Sequence, residues 1–199
     1  MVNSEINELL KPVTFDTGVR TVTNLYGTVR ARFTNISEPG NSLDFLVGRA
    51  PVRYIDERSD STIKLELSSQ WDVVYRKDTK IDLGVHSTDY TLTQNHDLLS
   101  IVEEQLIEYF DPYVLRDVEV QDSVQQHGAV CIRQYIFPRI SASITTNSGH
   151  VSPIRFRAIV WNCFNGRHKA KIIFGDIDMF CANGLITGEY DMVEKKRTK

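Results

Sequence analysis

The chain contains one stretch with the period of an amphipathic helix, and elsewhere its apolar residues mostly alternate with polar ones. The helical stretch covers residues 96–110, with Asn95 as its expected N-cap and Asp111-Pro112 as its end. One face of this helix carries Leu99, Val102, Leu106 and Phe110. A single principal helix has to bury its apolar face against another layer, so the rest of the chain must supply that layer.

Alternation predicts that the other layer is a sheet. In residues 29–34, for example, Val29, Ala31 and Phe33 alternate with arginine and threonine. We expect strands at about 29–34, 43–47, 50–55 and 62–68, and after the helix at about 113–121, 128–137, 139–146, 153–164, 168–174 and 177–181. The pattern indicates an α+β fold, in which a large, mostly antiparallel sheet packs on the helix at about 96–110.

Composition is that of an ordinary globular protein. The 199 residues are 41% hydrophobic and 25% charged, which predicts a single α+β domain over 1–199. A short helix is expected at 4–10 and a frayed basic tail at 194–199. No apolar run is long enough for a membrane span, and the first residues do not read as a signal peptide. Three widely spaced cysteines indicate no disulfide framework, so a cytoplasmic location is expected.

The strongest turn signal is Asn165-Gly166, which predicts a two-residue hairpin between two strands. In that register Asn162 lies opposite Lys169, and Val160 opposite Lys171. One face then collects Phe156, Val160, Asn162, Phe164, Arg167, Lys169 and Lys171. The other face collects Ile159, Trp161, Cys163, His168, Ala170, Ile172 and Phe174, and we expect it to be the core side.

The first face mixes aromatic rings with cations, which is typical of a surface for single-stranded DNA or RNA. Arg155 and Arg157 add positive charge on one side of the same strand. The net charge of −3 does not oppose a local basic surface. The alternative is a solvated outer face on which Lys and Arg stems cover apolar side chains.

No catalytic set stands out in the sequence. None of the five histidines belongs to a zinc-binding pair, and no phosphate-binding loop or nucleophile motif occurs. Asp176 and Asp178 would share a strand face and could hold Mg²⁺ in a nuclease, but no third acid completes the set, and turn-flanking acids are the favoured interpretation. We therefore assign no catalytic residue, metal site or cofactor, and expect a non-enzymatic protein.

Two stretches resemble the phage/plasmid-like protein family, whose domain is described as domain of unknown function 932. Residues 83–95 (LGVHSTDYTLTQN) resemble its LGVVG-x-x-Y-x-P-x-Q-N segment, which also leads into an amphipathic helix. Residues 162–166 resemble its N-S-x-D-G turn, and residues 180–185 its V-C-x-N-G-M element. His86, Ser87, Leu92 and Asn165 depart from the family pattern. The matching positions are Gly84, Tyr90, Gln94, Asn95, Asn162, Gly166, Cys181, Asn183 and Gly184.

The resemblance implies a protein of phages, plasmids or other mobile elements, acting in the host-cell cytoplasm and without an established activity. Together with the hairpin face it suggests a nucleic-acid-binding or annealing accessory protein. The alternative is a protein-binding module for host takeover or anti-defence, with a host protein as its partner. The motif residues can encode either the fold or a site, and exposed strand edges allow a homo-oligomer.

Overall fold

The structure is a computed structural model that describes residues 19–24, 27–56, 64–145, 149, 151–178 and 192–194. Its ten strands are β1 Val19–Asn24, β2 Gly27–Asn35, β3 Val47–Asp56, β4 Lys64–Arg76, β5 Asp82–Ser87, β6 Val118–Gln125, β7 Val130–Thr145, β8 Val151–Cys163, β9 Lys171–Asp178 and β10 Met192–Glu194. The α-helix of the described residues, α1, is Asn95–Tyr109, and short 3-10 turns lie at Val114–Asp117 and Gln126–Gly128. This composition agrees with the predicted α+β class.

The strands form two sheets and not the single large sheet that alternation predicted. Seven strands follow the order β1-β2-β6-β7-β8-β9-β10, and β3, β4 and β5 form a separate antiparallel sheet. Within the larger sheet the β2–β6 pair is parallel, and the other pairs are antiparallel. A parallel pair needs a long crossover, and the chain between β2 and β6 contains both the smaller sheet and α1.

Some predicted strand boundaries were wrong because a bulge breaks the alternation without ending the strand. The two strands expected at 128–137 and 139–146 are one strand, β7, whose pairing with β8 shifts between Phe137 and Ser141. Residues 171–178 form one strand, β9, where a break between 174 and 177 was expected, and residues 179–181 lie outside the described residues. The predicted helix at 4–10 and residues 195–199 of the predicted tail lie outside the described residues, while Glu194 ends β10.

Helix α1 covers the inner face of the larger sheet with the predicted apolar residues. Leu99, Val102 and Leu106 are buried in the main core. The capping prediction was wrong: Gln94 occupies the N-cap position without a side-chain cap bond, and Asn95 is the first helical residue. Asn95 is instead drawn into the core, where its amide donates to the carbonyl of Leu43. Among the described residues no helix has the length and apolarity to cross a membrane.

A buried ionic cluster lies between α1 and the sheet. The guanidinium of Arg133 donates to both carboxylate oxygens of Asp122, at 2.7 and 2.8 Å, and to Glu103 at 3.3 Å. The hydroxyl of Tyr135 also donates to Glu103, at 3.0 Å. All four residues are buried, so each charge depends on these partners in place of water. Burial raises the pKa of Tyr135 well above its ordinary value.

Candidate functional site

The segment around Asn165-Gly166 is a longer loop than the predicted two-residue hairpin. β8 ends at Cys163 and β9 begins at Lys171, so residues 164–170 form the connection, here called the cationic loop. Trp161 pairs with Lys171, whereas the prediction placed Val160 there. The register prediction was therefore wrong by one residue. The N–H of Phe164 donates to the carbonyl of Ala129 and so leads the chain away from a tight turn.

A one-residue shift moves side chains to the opposite face, and this reassigns the predicted binding residues. Phe164 is fully buried and Asn162 is 3% exposed, both in the core. The amide of Asn162 donates to the carbonyl of Thr93 and to Asn95 Oδ1. These two residues therefore cannot offer an open ring or amide to a ligand, and that part of the predicted surface was wrong.

Lys171 lies on the opposite, outer face, together with the ring that the prediction assigned to the core. Its Nζ is 4.0 Å from the ring centroid of Trp161, and Trp161 is half-buried. Ile132 pairs with Trp161 on the neighbouring strand and so shares this face. The residues around Trp161 in the sequence do not distinguish the two faces of β8. Only the strand register could have placed Trp161 on the outer face beside Lys171.

Arg155 and Arg157 lie farther along the same outer face, and both are half-buried. Arg157 Nη1 donates to Gln134 at 2.7 Å, and Arg155 Nη1 lies 3.5 Å from a carboxylate oxygen of Glu119. Burial, followed by the charge of Arg155, lowers the pKa of Arg157 from its ordinary value. The isoleucines between these arginines and the loop, Ile159 and Ile173, are buried. Buried isoleucines therefore separate the two arginines from the cationic loop.

The middle of the cationic loop is exposed and positively charged. Arg167, His168 and Lys169 are all exposed. Asn165 stabilises the turn before them, since its Oδ1 accepts from the N–H of Arg167 and its amide donates to Gln126. No aspartate or glutamate occurs in residues 151–175, so the strand and loop carry no acidic residue of their own. The arrangement concentrates positive charge at one end of the larger sheet.

Two of the motif residues tie the start of α1 to other parts of the fold. Gln94 Oε1 accepts from the backbone N–H of Val47, and its Nε2 donates to the carbonyl of the same residue, both at 2.9 Å. Gln94 thus pairs with the edge of β3 as a neighbouring strand would. Asn95 connects Leu43 to Asn162 through its amide. Each of these side chains is used by the fold.

Three more motif residues meet where β5 contacts the cationic loop. A Cβ at Gly84 would lie 2.7 Å from the carbonyl oxygen of Phe164, so a side chain does not fit there. Gly166 has a φ of +74° and faces the ring of His86. Tyr90 stacks on His86 with ring centroids 3.9 Å apart, and its hydroxyl donates to the carbonyl of Cys163 at 3.4 Å. The fold therefore brings segments 83–95 and 162–166 together.

Several predicted residues lie where the structure describes no side chain. Cys181, Asn183 and Gly184 lie outside the described residues. Asp176 and Asp178 occupy positions opposite Phe156 and Ile154 in the β8–β9 pair, and their side chains are not described. Among described residues no group of three or more His, Cys, Asp or Glu is arranged to hold a metal ion.

A second surface, which the sequence did not single out, is the outer face of the three-stranded sheet. Val73 pairs with Ala50 on one side and Val85 on the other, and Trp71 follows on the same face. Trp71 is 50% exposed and Val85 is 58% exposed. We call these four residues the apolar sheet face.

The motif residues within the described part of the chain contact one another and the neighbouring strands, as residues at a structural junction do. No protein-family model, no curated protein and no solved structure matches the chain.

Proposed function

We propose that this protein binds single-stranded nucleic acid through the cationic loop and the adjoining outer face. The binding surface consists of Arg167, His168 and Lys169 of the loop with Trp161 and Lys171 beside it. The observation that carries the proposal is the exposure of three consecutive basic residues next to a half-buried ring and a lysine. Arg155 and Arg157 lie farther along β8, where Arg155 pairs with Glu119 and Arg157 with Gln134.

Charge favours a polyanion as the ligand. Phosphate contacts dominate affinity in such surfaces and depend steeply on salt, since bound phosphates release their counterions. Trp161 offers one ring for stacking on a base, which any base can satisfy. Binding should therefore be largely independent of sequence and stronger at low salt. This surface supports a binding or annealing accessory role and calls for no catalytic group.

The test is a fluorescence anisotropy titration with labelled single-stranded DNA and RNA oligonucleotides at several salt concentrations. The variant Arg167→Glu/Lys169→Glu should bind much more weakly. Each phosphate contact on a single strand contributes about 0.7 to the slope of log affinity against log salt. Loss of two contacts should therefore make the slope of this variant shallower by about 1.4. The matched control is Lys77→Glu/Lys80→Glu, which makes the same charge change at an exposed turn of the other sheet.

Two results would reject this function. One is the absence of binding by the wild-type protein at the lowest salt. The other is an equal loss of affinity in the control variant, because binding would then follow net charge and not this surface.

A protein-binding role is the second candidate, and the apolar sheet face favours it. An exposed tryptophan on the central strand of a sheet, with an exposed valine on the neighbouring edge strand, is a feature of protein contact surfaces. A stoichiometric host protein that co-purifies with the wild-type chain, but not with Trp71→Ser/Val85→Ser, would support this role. Retention of that partner by the double variant would exclude this surface.

A further inference from the structure

His86 holds the first residue of the cationic loop from the neighbouring sheet. Its Nε2 lies 2.6 Å from the carbonyl oxygen of Phe164, and the ring is 6% exposed. A carbonyl oxygen only accepts hydrogen bonds, so Nε2 must carry the proton and donate it. Because the Phe164 carbonyl is buried, this bond supplies a partner that water cannot replace.

The ring of His86 is itself held in place on both sides. Tyr90 stacks against it, and a Cβ at Gly166 would come within 3.1 Å of its Cε1 atom. Gly84 of the same strand allows β5 to approach Phe164 and Asn165 closely. Arg49 fixes the turn after β5, donating to the carbonyls of Thr88 and Tyr90 while paired with Asp72.

The contacts form a continuous path from β3 to the loop. Arg49 connects β3 to the turn that carries Tyr90, Tyr90 supports His86, and His86 binds Phe164. Arg167 lies only three residues after Phe164, whose carbonyl His86 binds, and Lys169 follows two residues later. A hydrogen bond made by a different sheet therefore holds the chain just before these two cations.

We propose that His86 is a positioning residue that pre-organises the cationic loop for its ligand. The inference rests on the proposed nucleic-acid function for its effect on affinity, but not for its effect on the loop. A loop that is already ordered loses less conformational freedom when it binds, and so binds more tightly. His86 does not touch the ligand, and the number of phosphate contacts should not depend on it.

Two substitutions of similar size separate the hydrogen bond from packing. His86→Gln keeps an N–H donor near the position of Nε2, whereas His86→Leu removes the donor. Amide hydrogen exchange of residues 164–170 reports on the order of the loop without any ligand. Oligonucleotide titrations at several salt concentrations report on affinity and on the number of phosphate contacts.

For His86→Leu we expect faster exchange in the loop and affinity lower by about tenfold, the usual scale for one net hydrogen bond. Its salt slope should equal that of the wild type, and His86→Gln should behave much like the wild type in both measurements. Unchanged loop exchange in His86→Leu would overturn the proposal, as would a His86→Gln variant as perturbed as His86→Leu. Global unfolding of His86→Leu would also overturn it, since the bond would then support the whole fold.

The two proposals fail separately. If the wild-type protein binds no oligonucleotide but His86→Leu loosens the loop, the nucleic-acid function is rejected and the positioning role of His86 stands. If binding is observed and the loop is equally protected in both His86 variants, the positioning role is rejected alone.

Discussion

Removal of the guanidinium of Arg133 should be among the most destabilising single changes in this protein. The side chain is 2% exposed and makes hydrogen bonds to Asp122 and Glu103, which are also buried. Arg133→Met leaves two carboxylates in the core without their cation. Breaking a buried ion pair in this way costs about 3–5 kcal/mol, a large part of the stability of a typical domain.

The free energy of unfolding can be measured by urea denaturation at neutral pH. A triple variant, Arg133→Met/Asp122→Leu/Glu103→Gln, removes all three charges but keeps an acceptor for the Tyr135 hydroxyl, and it should recover most of the loss because no unpaired charge stays buried. This comparison separates the cost of unpaired charge from the cost of altered packing.

Arg139→Met is the matched control, since Arg139 pairs with Asp117 at an exposed position. Exposed pairs contribute little, so this change should have a much smaller effect on unfolding. The reasoning is refuted if Arg133→Met loses no more stability than Arg139→Met. It is also refuted if the triple variant is less stable than Arg133→Met.

Two further predictions concern Cys131 and Gln94, which lie beside and at the start of α1. Burial raises the pKa of Cys131 to about 12 from an ordinary 9.0, so the unfolded chain releases this proton first as pH rises. Its stabilising contribution is complete below pH 9 and should decline by about 1.4 kcal/mol per pH unit between 9 and 12, so Cys131→Ala should make the alkaline loss of stability less steep in urea titrations. Gln94→Ala removes both hydrogen bonds to Val47 and should destabilise by about 1–3 kcal/mol in thermal or urea unfolding. A Gln94→Ala protein as stable as the wild type would show that water replaces those bonds.

The helix was the most predictable element because its information is local. The spacing of Leu99, Val102 and Leu106 predicts a buried face, and the structure buries all three. Glu103 lies on the face that was expected to be polar, yet it is buried. Its partners, Arg133 and Tyr135, come from a strand distant in sequence, so no local pattern could show that this glutamate is paired.

Strand positions were predicted better than strand partners. Alternation identifies which residues point to the same side, but it does not identify the neighbouring strand or the sheet. The separation of β3–β5 from the larger sheet and the parallel β2–β6 pair depend on long-range contacts. The β7 bulge also depends on its partner β8.

The candidate site shows how much a single residue of register decides. Arg167, Lys169 and Lys171 were identified from the sequence as cations near a turn. Phe164 was identified with them as a ring for stacking, but the structure buries it and places Trp161 beside Lys171 instead. The Asn-Gly signal for a turn was sound in position and wrong in length, because contacts with Ala129 and His86 hold the chain before the turn.

Local spacing along the chain was sufficient to establish the class of fold, the principal helix, and a run of strand and loop that is basic and free of acids. Tertiary structure alone decided which residues of this strand and loop face water. It also decided that the side chains of Gln94 and Asn95 form contacts within the fold, and that β5 contacts the cationic loop. The physical reason is that periodicity acts between neighbours in sequence, whereas side-chain exposure depends on pairing between strands. Those pairings are set by the burial of the whole core at once.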